Sequence, residues 1–326
     1  MTDSESLLAA LHGLHRQGKY PELLAAYGAR VPGASEVDRP ELRLLIASAA
    51  TRTGDVERGH REALLAARGF RDRGDEDGAM RSENLLGAIA FERGDLPEAR
   101  TRFSAAQQIA DRLGDRLMFA RAANNLASVT HLLGEADEAS RVYREALLAY
   151  QRLGDHHRAA ETYHNLALVA RDEGDLAAAL DASIHAVRHA GQVNDAGLLA
   201  LVLTGRAETA VLMGDEALAR EGLDRAAVLA RQAGDEAGLA ELERVRALCW
   251  WARGDPARAL RAAERGRRQA ERLRIALLEG ECSAIAARAL AALGRARQAE
   301  RRREQARRRF TALGARHHLR RLEAIP

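Results

Sequence analysis

Two cysteines in 326 residues, Cys249 and Cys282, provide no disulfide framework and fit no metal-ligand spacing, as suits a reducing compartment. Aromatic residues are scarce too. At 4% of the chain against 47% hydrophobic overall, they leave the core to Ala and Leu, a composition that favours closely packed helices. No apolar run reaches the length that spans a bilayer, and the opening Met1-Thr2-Asp3-Ser4-Glu5-Ser6 has neither a basic nor an apolar leader, so a cytoplasmic protein is expected. A Walker loop, a glycine-rich dinucleotide fingerprint, a nucleophile elbow and paired catalytic carboxylates are all lacking, which argues against an enzyme and gives no reason to expect a cofactor. Histidines occur in pairs, among them His185 with His189, His12 with His15, His156-His157 and His317-His318. Such a pair supplies two zinc ligands and nothing nearby completes the set, so no metal is expected. Lysine is confined to Lys19, and the other basic residues are arginine. The net charge of +3 hides an asymmetry, because the segment from Arg258 onward carries +12 and the rest −9.

Against these absences stands a strict beat. Gly54-Asp55, Gly74-Asp75, Gly94-Asp95, Gly114-Asp115, Gly134-Glu135, Gly154-Asp155, Gly174-Asp175, Gly214-Asp215, Gly234-Asp235 and Gly254-Asp255 recur every twenty residues, and the glycine alone persists at Gly294 and Gly314. Glycine takes the left-handed backbone that stops a helix, and aspartate accepts the orphan N–H groups that start the next. Asn194-Asp195 is expected to do the same, asparagine being the next-best left-handed residue. Arg274 stands where a glycine belongs, so the helix before it is expected to run on or to turn more tightly. A period on this scale means stacked helices, with no buried catalytic centre.

Two kinds of turn alternate, so the full unit is 40 residues: helix A, turn, helix B, turn. Small residues at Ala99, Ala139, Ala179, Ala219, Ala259 and Ala299 mark where helix B crosses helix A, followed by Phe103 and Ala106 or Tyr143 and Ala146 on the inward stripe. With the pairs Leu86-Gly87, Leu126-Ala127 and Leu166-Ala167 in helix A, the chain resembles the tetratricopeptide repeat family. It departs from the usual 34-residue unit ending in proline. The 40-residue unit ending in Leu-Gly-Asp is similar to the longer repeats of bacterial signal-transducing regulators and eukaryotic polarity adaptors. The resemblance implies an all-α, right-handed superhelical solenoid of about eight helix-turn-helix repeats. One array over residues 1–326 is expected, with a short first repeat at 4–39, seven repeats over 40–314 and a capping helix at 315–326.

In such arrays the A helices line a concave groove, and equal places in successive repeats form ladders 40 apart. One ladder is Phe91, His131, Arg171, Val211 and Trp251; another includes Ser48, Ser128 and Glu208. Asn125 and Asn165 occupy the places where, in the related adaptors, asparagines hold an extended peptide, since an amide offers donor and acceptor. Asn84 and Asn124 lie one step away. Arg81 and Arg121 are placed to clamp a carboxylate or phosphate, with Glu161 next in their ladder. Of the two tryptophans, Trp250 is expected in the core and Trp251 in the groove. The alternatives stay open: that the asparagines merely bridge adjacent helices, that the arginines are ordinary exposed ones, and that both tryptophans are buried.

The last repeat carries Arg301, Arg302, Arg303, Arg307, Arg308 and Arg309. Helical spacing turns Arg301 and Arg308 outward and sets Arg307 and Arg309 on the flanks. Almost no aromatics interleave with them, and Glu300 and Glu304 interrupt the patch, so nucleic acid is an unlikely partner. An acidic protein partner and a solvated cap remain alternatives. The expected function is a non-enzymatic scaffold that binds a peptide or helical segment of another protein in its groove. The alternatives are a regulatory or sensor module acting in trans on a signalling or transcription partner and, more weakly, nucleic-acid binding through the arginine-rich end. The sequence specifies neither the partner nor the oligomeric state.

Overall fold

A computed structural model describes residues 3–29 and 39–323. Part of the expected first repeat, residues 30–38, and the last three residues of the expected cap lie outside these. Contacts group the chain into two compact units, residues 1–129 and 130–326, each described by itself.

The described residues form seventeen helices and no strand. The first unit contains α1 (Asp3–Arg16), α2 (Tyr20–Ala29), α3 (Pro40–Arg52), α4 (Val56–Asp72), α5 (Glu76–Glu92), α6 (Leu96–Leu113) and most of α7 (Arg116–Leu132). The second holds α8 (Ala136–Leu153), α9 (His156–Asp172), α10 (Leu176–Ala190), α11 (Ala196–Met213), α12 (Glu216–Ala233), α13 (Glu236–Ala252), α14 (Pro256–Leu273), α15 (Ala276–Ala292), α16 (Ala296–Ala312) and α17 (Arg316–Glu323). Odd-numbered helices up to α15 are the A helices and even-numbered ones the B helices. Each unit is built from A–B hairpins, such as α5 on α6 or α11 on α12, and A helices of successive pairs also touch, as α3 with α5 and α11 with α13.

The caps explain the boundaries. Asp75 Oδ1 accepts from the Gly78 backbone N–H at 2.9 Å, and Asp95, Asp155, Asp175, Asp215, Asp235 and Asp255 repeat the contact three residues on. Each such cap is worth about 1 kcal/mol. The glycines of the beat all have positive φ. Asn194 does not: α10 stops at Ala190, and Gly191, in right-handed geometry, turns the chain early. That turn brings Val193 against Ala160, Ala186 and Ala190, and this packing overrides the local preference at Asn194. Arg274 neither extends its helix nor tightens the turn. It adopts the left-handed geometry itself, at φ 58° and ψ 34°, and α15 starts on schedule.

Where hairpins close, side chains are small. Ala99, Ala139, Ala179, Ala219 and Ala259 are buried, whereas Ala299 is only half-buried. A Cβ at Gly87 would lie 2.7 Å from the Phe103 ring, so the Leu86-Gly87 pair lets an aromatic of α6 lie flat on α5. One helix differs from the expectation of no membrane-length apolar run: α11 is long and apolar enough by composition, but 61% of that stretch is buried within the fold and the helix carries Arg206 and Glu208.

Candidate functional site

In the first unit, Asn84 and Asn125 face each other on successive A helices, with Asn125 Nδ2 donating to Asn84 Oδ1 at a long 3.4 Å. Both are half-buried, as is Asn124, which takes part in interactions of its own. Phe91, at the end of α5, is 39% exposed, enough to offer one ring edge to a ligand. Arg81 is exposed and pairs with Asp77 one turn back at 3.0 Å. Arg121 reaches Met118 Sδ at 4.0 Å. Each of the two arginines thus has a local partner on its own helix.

In the second unit the A-helix face carries a diagonal of alternating charge. Arg171 Nη2 lies 3.0 Å from Glu208 Oε2, and Arg244 grips the same carboxylate by two N–H donors at 2.9 and 2.5 Å. Arg244 also binds Glu241 at 2.5 Å and approaches Glu281 Oε2 at 3.8 Å. Glu281 Oε1 lies 3.4 Å from His318 Nε2. The side chains of Arg171, Glu208 and Arg244 are each 8% exposed, so these are desolvated pairs and not surface ones. Arg171, expected to line the groove, is thereby committed to Glu208.

A second acidic centre lies at the end of α9. Asp172 Oδ2 receives His131 Nε2 at 3.0 Å and stands 3.4 Å from His317 Nε2, while Arg321 Nη1 donates to Oδ1 at 2.6 Å. His317, His318 and Arg321 all belong to α17, which bridges Glu281 at one end of the diagonal and Asp172, beside Arg171, at the other. The guanidinium of Arg320 lies over the turn at Gly134, where a Cβ would collide with it.

The electrostatics follow from this geometry. Burial would raise the Asp172 carboxyl, but the hydrogen bond from His131, the adjacent His317 and the charge of Arg321 hold it well below the carboxylate range. Burial opposes ionisation of Glu281 as well, and Arg244 and His318 nonetheless bring it to about 2. Burial, reinforced by the Arg171 cation, lowers His164 to about 4. Burial also raises Cys249 to about 11 and Cys282 further, so neither thiol is a ready nucleophile.

Asn165 is half-buried on α9 and makes no side-chain hydrogen bond among the described residues. Both tryptophans are half-buried. Trp250 packs on the Ala247, Ala262 and Ala263 cluster beneath Arg258, and Trp251 stacks under Arg288 at 4.7 Å. In the basic run, Arg307 and Arg308 pair with Glu304, Arg309 with Glu279 and Arg302 with Glu264, whereas Arg301 is exposed. Much of that charge is neutralised within the fold. Among the described residues no group of three or more His, Cys, Asp or Glu is arranged to hold a metal ion. Sequence reasoning missed Asp172, Arg244, Glu281, His317 and His318 as site residues. The signal was an alternation of sign at intervals of 36 or 37, one helical turn short of the repeat.

Stacked A–B hairpins with capped turns define an all-helical repeat protein. The family model of the tetratricopeptide repeat matches residues 118–191. No curated protein matches the sequence. Among solved structures, the chain is similar to the apo quorum sensor NprR from B. thuringiensis, at 11% identity and a TM-score of 0.72, covering 94% of this chain and 87% of that one. It is also similar to the Rap conjugation gene regulator of plasmid pLS20 in complex with the Phr* peptide, at 14% identity and a TM-score of 0.64, covering 95% and 97%. A tetratricopeptide repeat protein from Parabacteroides merdae gives 14% identity and a TM-score of 0.57, over 86% and 98%. At these identities the likeness is one of fold.

Proposed function

We propose that the chain is a non-enzymatic interaction protein that takes a peptide or helical segment of another protein against its A-helix faces. Asn165 carries this reading. A half-buried amide with no internal hydrogen bond keeps both donor and acceptor for a ligand backbone. The long Asn125–Asn84 contact leaves a second pair of amides with capacity to spare, near the exposed ring of Phe91. Arg81 and Asn124 flank these positions on α5 and α7, Trp251 offers a separate half-buried ring on α13, and His131 and Arg171 act as supports through Asp172 and Glu208. The solved regulators of like fold, one holding a Phr* peptide and another a quorum sensor, support a regulatory role exerted in trans through such binding.

The test is affinity capture from the source cells with the wild-type chain and with Asn125→Ala combined with Asn165→Ala. We expect the double variant to lose the captured protein while keeping its far-UV circular dichroism and denaturation midpoint. Capture at unchanged affinity sinks the reading.

A further inference from the structure

α17 is short, basic and held largely by charge. Its eight residues, RHHLRRLE, are too few to form a stable helix alone. Only His317 and Leu322 are buried; Arg316, Arg320, Arg321 and Glu323 are exposed. Leu322 packs beside Ala306 and Phe310, and Arg303 Nη2 donates to the Leu322 carbonyl at 3.2 Å. Leu319 packs partly buried on the same cluster and the His318 ring lies 5.0 Å from that of Phe310; the other contacts that fix the helix are ionic or polar. His317 and Arg321, one turn apart on one face, converge on Asp172, and His318 meets Glu281.

The seat beneath α17 has a definite chemistry. If α17 departs, Asp172 keeps His131 but loses Arg321 and His317, and Glu281 keeps only the distant Arg244. With α17 in place the Asp172 side chain is 10% exposed, so a segment that takes the same seat covers that carboxylate again and must pair it. An acidic segment would be repelled there, and an apolar one would leave the carboxylates unpaired. A cationic helix restores both contacts.

Building on the interaction role above, we propose that this face of the second unit receives a helical segment of a partner protein bearing arginine or histidine one turn apart. The segment takes the seat that α17 holds in the free chain. α17 is then a tethered competitor, present at an effective concentration on the order of millimolar, and it sets a threshold that the partner must exceed.

The experiment uses the full chain and a fluorescent synthetic peptide of residues 313–323 as probe. Leu322→Asp removes the most deeply buried apolar anchor of α17, and Arg321→Glu independently removes its strongest charge contact. In both variants trypsin is expected to cut after Arg316 and Arg320 faster than in wild type, and the peptide to bind at least ten-fold more tightly. Adding Asp172→Asn is expected to remove that gain, and a peptide with its arginines changed to glutamate is expected not to bind. Unchanged cleavage in both variants overturns the displaceable helix. Faster cleavage without tighter binding, or equal binding of the glutamate peptide, overturns the cationic seat. If the cellular partner is still captured in either case, the interaction role stands and only this inference falls; loss of all capture strikes the role itself.

Discussion

Arg274→Gly is expected to stabilise the protein, and its size follows from the backbone. Arg274 sits at φ 58° and ψ 34°, close to Gly154 at φ 68° and ψ 19° and Gly234 at φ 65° and ψ 24°, which end other B helices. The turn's hydrogen bonds are already in place, with Ile275 N–H donating to the Ala270 carbonyl at 2.9 Å. The Arg274 side chain is exposed. Holding a residue with a Cβ in the left-handed region costs about 1–2 kcal/mol. Glycine removes that strain but gives the unfolded chain freedom worth about 0.4–1 kcal/mol. The difference leaves a net gain of roughly 0.5–1 kcal/mol. Urea denaturation followed by far-UV circular dichroism should show a higher midpoint with an unchanged slope. Slower hydrogen exchange at Ile275 would localise the gain to this turn. The mirror substitution Gly154→Arg should lower the midpoint by a similar amount. A lower midpoint for Arg274→Gly would refute the reasoning, because it would mean that the arginine side chain contributes more than its backbone strain removes.

Two further outcomes test the charge diagonal. Glu208→Gln leaves Arg171 and Arg244 facing each other across a desolvated site, and should cost about 3 kcal/mol in the same denaturation experiment; a loss below about 1 kcal/mol would mean that the pairs are solvated. His164 is neutral in the folded chain down to about pH 4, whereas in the unfolded chain it binds its proton near 6.5. The unfolded state then holds more protons between those values, so stability should fall on acidification through that window, by up to about 3 kcal/mol. Denaturation midpoints across the window, compared with those of His164→Gln, isolate this slope; parallel curves would refute it.

Features set by nearest neighbours along the chain could be read from the sequence. Glycine and aspartate caps act within four residues, so helix limits followed from the beat, and the small residues of each hairpin followed from one repeat. Asn194 shows where local chemistry yields, since packing of Val193 ended α10 early. The charge diagonal was hidden because it depends on the stagger between A helices, which displaces facing residues by about one turn from the 40-residue register. Arg171 and Glu208 therefore meet although they belong to different ladders. The bond from Arg321 to Asp172 joins residues 149 apart, and no periodicity announces it.

The alternation Arg171, Glu208, Arg244, Glu281, His318 also makes the second unit sensitive to parity. Most repeat arrays tolerate gain or loss of a unit, because each repeat meets only its neighbours. Here, excising one 40-residue unit from between α9 and α13 would place Arg171 against Arg244, like charge on like, whereas excising two adjacent units would restore opposite signs. The number of repeats in this part of the chain is thus constrained to be odd or even, a restriction that helix caps and hairpin packing alone do not impose.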